Sequence, residues 1–371
     1  AGKAISFDKA ALAGRGRLDL VRGTADVPAL EARLTGLPPL ALSGRFAVGG
    51  PGPAEASLGT RGLDVPSLRG LAAPFLPDAL SGWDLAGTAD LALEARRAAA
   101  GAWTLAGTVS LNQARFNDPS FTIAGEGLSP ELRFEGALSG PDGIPFTAAL
   151  AIGQGESLWK AVYVSWSKHP LRMSLAGRFD PGSGAVEGLS ARLFFPTIGE
   201  VGLTGVVRTR PLTSFDLRSE AKLSLGPLYS LYSLAGAAEG TRLNLEGTLT
   251  ADFRVRGGGD ALSVAGKMSL ADVNLERPAS KMLLVGVSAE LPVLYETGAE
   301  AAPPDAPLPE AGFVRIGEFQ HPLLTLKPLA LSLRVGPNAF AVEPLTLELF
   351  GGRLELGRTV FRYEPRSGEL R

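Results

Sequence analysis

The sequence predicts an all-β, mainly antiparallel protein with two short helices, built as an elongated, strongly curved and repeating β-groove. An array of β-sandwiches is the alternative arrangement. Three observations lead there: apolar and polar residues alternate along most of the 371 residues, turn residues punctuate the alternation, and whole stretches recur at a nearly constant offset.

The alternation is clearest in LNLEGTLTADFRV, residues 243–255. Leu243, Leu245, Gly247, Leu249, Ala251, Phe253 and Val255 share one parity, while Asn244, Glu246, Thr248, Thr250, Asp252 and Arg254 share the other. A strand points successive side chains to opposite faces, so this segment reads as a strand with one apolar and one wet face. The same pattern runs through LALSGRFAV (40–48), WTLAGTVSL (103–111), LRMSLAGRFD (171–180), LSVAGKMSL (262–270) and LALSLRV (329–335). Between them stand turn clusters such as GGPGP (49–53), GPDGIP (140–145) and DPGSG (180–184). Glycine recurs on the apolar parity, at positions 14, 44, 87, 107, 136, 177, 205, 247 and 266. Glycine inside a strand marks a bend, a bulge or a close approach, so a sheet bending toward its apolar face is expected.

Helices are predicted in two places only. DVPSLRGLAAPFL (64–76) and SLGPLYSLYSLAGAA (224–238) space their leucines helically and carry proline near the start, where the first turn tolerates it. These helices also expose the repeat. Leu63, Leu68 and Leu71 match Leu223, Leu228 and Leu231 at an offset of 160, and Gly107, Ser110, Leu111 and Pro119 match Gly266, Ser269, Leu270 and Pro278 at 159. The chain divides on this basis into a partial unit (1–62), a complete unit (63–222) and a nearly complete unit (223–371). It begins and stops inside the period, as expected of a fragment of a longer repetitive protein. The proline-rich, acidic stretch TGAEAAPPDAPLPEAG (297–312) reads as a loop insertion.

Composition excludes several functions. A formal charge of −2 lacks the basic excess of nucleic-acid binders, and the absence of cysteine removes disulfide and zinc–thiolate chemistry. No run of about 18 apolar residues encodes a membrane-spanning helix. A transmembrane β-barrel needs aromatic girdles, and the nine Trp and Tyr residues are too few for them. Trp103, Trp159 and Trp166 read as packing residues. The two histidines, His169 and His321, both precede proline near equivalent places in the repeat, so they are expected to be structural and far apart. Ser157 and Ser165 open Ser-x-x-Lys matches, but in strand-like context and without the companion motifs of serine acylases. Neither a catalytic constellation, a metal site, a phosphate loop nor a cofactor is expected.

What remains is the apolar face itself. Roughly 20 to 25 strands exceed the ~10 that an open sheet holds without curling or splitting into layers. Two helices cannot cover such a sheet, so its apolar faces meet in sandwiches or line a trough that needs a ligand. No linker separates the units, and the apolar parity is mostly Leu, Val and Gly, which suits acyl chains as well as it suits a core. If the face is a trough, its candidate lipid-contacting residues are Trp103, Leu105, Val109 and Leu111; Leu171, Met173, Leu175 and Phe179; Leu243, Leu245, Leu249, Phe253 and Val255; and Leu262, Val264, Met268 and Leu270.

The closing run VEPLTLELFGGRLELGRTVFRY (342–363), with Phe350-Gly351-Gly352 between alternating strands, resembles the recurring phrase of the AsmA-like superfamily, which includes AsmA, TamB and the YdbH-like proteins. The short helix leading into a Leu-x-Gly-x-apolar strand, at 63–91 and 223–249, is similar to repeats of the same group. The resemblance implies a repeating β-groove that carries phospholipids between the inner and outer membranes of Gram-negative bacteria. It also implies a periplasmic location, phospholipid as bound ligand, an outer-membrane protein as further partner and a membrane anchor outside this chain. The rival expectation is a structural or adhesive β-repeat with a dry core and no ligand.

Overall fold

The computed structural model describes residues 10–34, 37–48, 52–67, 82–97, 101–138, 143–160, 162–210, 213–233, 243–297, 308–326, 328–349, 352–364 and 369–370. The chain is all-β with two short helices and forms two compact units, Ala1–Gly182 and Ser183–Arg371.

The first unit is a ladder of antiparallel hairpins. Strands β1 (Ala10–Asp19), β2 (Thr24–Leu34), β3 (Leu40–Ala47), β4 (Ala54–Asp64), β5 (Asp84–Arg97) and β6 (Trp103–Asn117) pair in chain order. At β6 the ladder forks. Its first half, Trp103–Ser110, pairs with β8 (Glu131–Leu138), followed by β9 (Ile144–Ile152) and β12 (Leu171–Asp180). Its second half pairs with β7 (Ile123–Leu128), followed by β10 (Glu156–Trp159) and β11 (Val162–Ser165). The two branches separate where Ser129-Pro130 interrupts the run after β6, and Pro130 has no N–H to extend a ladder.

The second unit repeats this plan. Strands β13 (Ala185–Phe195), β14 (Gly199–Arg208), β15 (Ser214–Ser224), β16 (Asn244–Gly258), β17 (Ala261–Arg277) and β18 (Met282–Glu296) pair in order. Here β18, one continuous strand, takes the place of β7 and β8, and its two halves again find different partners. Ser288–Glu290 pairs with β19 (Glu310–Ile316), whereas Leu283–Val285 pairs with β20 (Glu318–His321), which pairs on with β21 (Leu324–Leu326). Beyond β19 come β22 (Leu329–Gly336), β23 (Ala339–Val342), β26 (Thr359–Glu364) and β27 (Glu369–Leu370), while β24 (Leu345–Leu349) and β25 (Gly352–Leu356) form a separate hairpin.

Register carries the repeat residue by residue. Leu91 faces Val109 as Ala251 faces Met268, and Phe116 faces Gly125 as Leu275 faces Leu284. The bulge between Ala86 and Thr88 recurs between Glu246 and Thr248. Its central residues, Gly87 (φ 112°) and Gly247 (φ 120°), adopt backbone that side chains rarely tolerate.

The other glycines of the apolar parity play a further part. Gly107 faces Phe134 and Gly266 faces Phe253, and in each case the ring occupies the space a Cβ would fill. Cross-strand aromatic cover of glycine offsets the loss of a packing side chain. At these two positions the glycine makes room for a ring on the neighbouring strand.

The predicted helices fall at strand crossovers. Residues 65–67 open the first, whose remainder lies outside the described residues. The second, α1 (Leu225–Ser233), packs on β16 and β15. Gly226 stands so close to Leu245 O (2.5 Å from an ideal Cβ) that no larger residue fits there without movement. The insertion expected over 297–312 is shorter at its end, because Glu310–Gly312 belong to β19; residues 298–307 lie outside the described set.

Burial bears on both proposed layer arrangements. Along β16 the apolar parity is half-buried and the polar parity exposed, as the alternation predicts. Yet no large side chain among the described residues is completely buried, and eight of the fifteen buried apolar residues are alanine. A sandwich interdigitates the large side chains of two inner faces. Among the described residues no phenylalanine or tryptophan is buried, and the buried cluster is small: Leu308, Ala339 and Ala341, with Val360 against it.

Candidate functional site

The apolar faces resolve into rows that run across the strands, one residue from each. In the first unit one row reads Val27, Gly44, Ala56, Ala95, Leu105 and Gly136, each directly opposite the next. Beside it runs a row of larger residues: Leu30, Leu42, Leu58 and Leu93. A line of small side chains next to a line of leucines makes a furrow, and the structure has one there of about 360 Å3, lined from β2 to β6, with Phe46 of β3 among its lining residues. That volume lies within the range of small-molecule sites. With strands ~4.8 Å apart, four steps across the ladder give a furrow on the order of 20 Å long. Phe46 is 39% exposed and the leucine wall is half-buried, so the furrow is open to solvent.

The same strands present a different surface on their other face. A polar hollow of about 220 Å3 is bordered by Asp26, Ser43, Glu55, Ser57, Glu94 and Arg96. Ser43 and Ser57 share a hydrogen bond of 2.7 Å, and Arg96 donates to Glu94 at 2.7 Å. Binary patterning of four strands thus produces a wet side and an apolar side through one layer of backbone.

The wet face of the second unit is organised by ion pairs. Arg218 and Arg254 sit directly opposite each other on β15 and β16, and each is neutralised on the diagonal. Arg254 makes a two-pronged contact to Asp216 at 2.8 and 2.7 Å, and Arg218 makes the same to Asp252 at 3.1 and 2.7 Å. The hydrogen bond from Arg254, with the charges of Arg254 and Arg256, lowers the Asp216 carboxyl to about 2. Asp252 is lowered likewise by Arg218, and both arginines are raised by their partners. In the first unit Asp118 also falls to about 2, held first by Ser120 and then by the Ile123 N–H, where it closes the turn between β6 and β7.

The residues singled out from sequence are distributed over both units. Trp103, Leu105, Val109 and Leu111 lie on β6, and Leu171, Met173, Leu175 and Phe179 on β12, with β8 and β9 between them. Row by row they connect: Val109 leads through Leu132 and Leu150 to Met173. In the second unit β16 and β17 are adjacent, so Leu249 meets Leu270 and Val255 meets Val264. Leu243 falls one residue before β16. Only Leu105 of the seventeen lines the furrow. The furrow's other residues were overlooked because attention to large apolar side chains passes over Gly44, Ala56 and Ala95, whose smallness makes the space.

Polar candidates have ordinary tasks. Ser157 is buried and its Oγ accepts from the indoles of both Trp159 (3.3 Å) and Trp166 (3.1 Å). The expected equivalence of His169 and His321 fails on register, since β20 takes the place of β10 and His321 therefore corresponds to Trp159. Burial, with the charge of Lys168, lowers the His169 imidazole. Among the described residues no group of three or more His, Asp and Glu gathers as metal ligands, and no helix is long and apolar enough to cross a membrane. No family model, curated protein or solved structure matches this chain.

Proposed function

We propose that the chain is an AsmA-like lipid-binding protein whose sheets curve around their apolar faces, and that the furrow of the first unit holds a phospholipid acyl chain. In this reading the protein is not an enzyme. It works passively in the periplasm, conducting lipids between the inner and outer membranes, with an anchor and an outer-membrane partner supplied elsewhere.

One observation carries the proposal: a long apolar face without a completely buried large side chain, furrowed by small residues over a length on the order of an acyl chain. Exposed apolar surface of this kind is seldom idle in a folded protein. Each methylene removed from water contributes about 0.8 kcal/mol, and successive strands offer similar apolar walls, so a chain is held in sum yet slides between near-equivalent positions. Headgroups remain at the margins of the face.

The test is solvent extraction and mass spectrometry of the protein expressed in bacteria and purified without detergent. Phospholipid is expected at about one or more per chain, lost in Leu58→Asp with the far-UV circular dichroism unchanged. A folded, lipid-free wild-type protein would reject the proposal in favour of the structural β-repeat.

A further inference from the structure

We propose that Arg97 is the anchor for an anionic lipid headgroup at the margin of the furrow, an assignment that rests on the furrow being a lipid site. Arg97 is the last residue of β5 and belongs to the apolar parity: it lies two residues beyond Ala95 on the same face, between Ala54 and Trp103 of the neighbouring strands. It is half-buried, whereas Arg33, Arg45, Arg96 and Arg133 are exposed and each stands beside a carboxylate, Arg96 beside Glu94. No carboxylate comes within ion-pair distance of Arg97 among the described residues.

Its guanidinium is fixed without being neutralised. Nε and Nη2 both donate to Gly52 O, at 3.2 and 2.9 Å, and the group lies 5.2 Å from the centroid of the Trp103 ring. Two of its five N–H donors are thereby engaged, and the remainder are free to receive an anion. A stacked, pre-oriented guanidinium loses little freedom on binding, and it matches the paired oxygens of a phosphate or carboxylate. The place is also right for an amphiphile. The chain would lie across Ala56 and Ala95, and its head would reach the strand ends, where Arg97 stands beside the β3–β4 turn. In the second unit Gly257 and Leu262 hold the corresponding pair of positions, so the cation is absent there.

The experiment uses the delipidated full chain and two fluorescent probes with the same tail, cis-parinaric acid and its methyl ester, titrated at about pH 8, where the acid is ionised. The acid is expected to bind about tenfold more tightly than the ester, the increment of a charge-assisted hydrogen bond. Arg97→Gln should bring the acid to the ester's affinity and leave the ester unchanged, while Arg97→Lys should keep the preference for the acid. Equal binding of both probes to the wild type, or a loss of both in Arg97→Gln, would overturn the assignment while leaving the furrow as a lipid site. Failure of both probes to bind the wild type would overturn the furrow as well.

Discussion

Two equivalent rows of the repeat teach most about this protein. In the first unit the row reads Gly44, Ala56, Ala95, Leu105 and Gly136; in the second, by the same pairing, it reads Gly205, Leu217, Val255, Val264 and Tyr295. Backbone register is shared, but three small residues have become Leu, Val and Tyr. The first row lines a furrow, and the second carries larger, half-buried side chains at the same register positions. One sheet plan thus carries either small or large residues along the same row of its apolar face.

Filling the furrow should have the largest effect. Ala56→Leu combined with Ala95→Leu displaces several methylenes of a bound chain, so lipid binding should fall at least about tenfold at ~0.8 kcal/mol per methylene. Parinaric acid titration reads this directly; unchanged affinity would mean that the row difference has no bearing on ligand. Next in size is the glycine row. A Cβ at Gly266 would overlap the backbone oxygen of Asp252 and the Phe253 ring, so Gly266→Ala should destabilise the protein by about 2 kcal/mol in urea. Gly136→Ala meets its nearest neighbour, Pro145 O, at 3.3 Å, and should lose less than half as much as the ~2 kcal/mol expected at Gly266.

Opening the second row is the converse change. Val255→Ala should lower stability by about 1 kcal/mol, a modest loss because Val255 is only half-buried, and should introduce weak probe binding. The smallest effect concerns acid. The Asp216 carboxyl is lowered to about 2, so its pairing with Arg254 stabilises the fold above the ordinary carboxylate range and that contribution is lost as pH falls toward 2. Arg254→Gln should therefore flatten the decline in Tm between about pH 4 and pH 2. The Asp216 side chain is 41% exposed and the pair is screened by solvent, so the change is slight.

Much of the fold was legible because alternation is a direct imprint of strand geometry: β16 and β17 stand where their apolar parity places them. The glycines at 87 and 247 were visible as oddities, but their role as paired bulges emerges only once Ala86 and Glu246 have partners. The forks at β6 and β18 could not be read, because branching depends on which half of a long strand meets which neighbour. The furrow escaped for a related reason. It is a property of a row across five strands, and Val27, Gly44, Ala56, Ala95 and Leu105 are separated by up to 39 residues between neighbours in the row.

The fork has a kinetic consequence. Strands β1 to β6 meet partners adjacent in sequence, and such hairpins close quickly because little chain entropy is lost before contacts form. The branch beyond β6 is different: β9 must wait for β12, and β7 for β10, each after an intervening piece of chain has taken its own place. Refolding should therefore proceed by fast zipping of the simple ladder followed by slower closure of the branch. Amide exchange should find the short β10–β11 hairpin the first part of the branch to open and the β5–β6 hairpin the last.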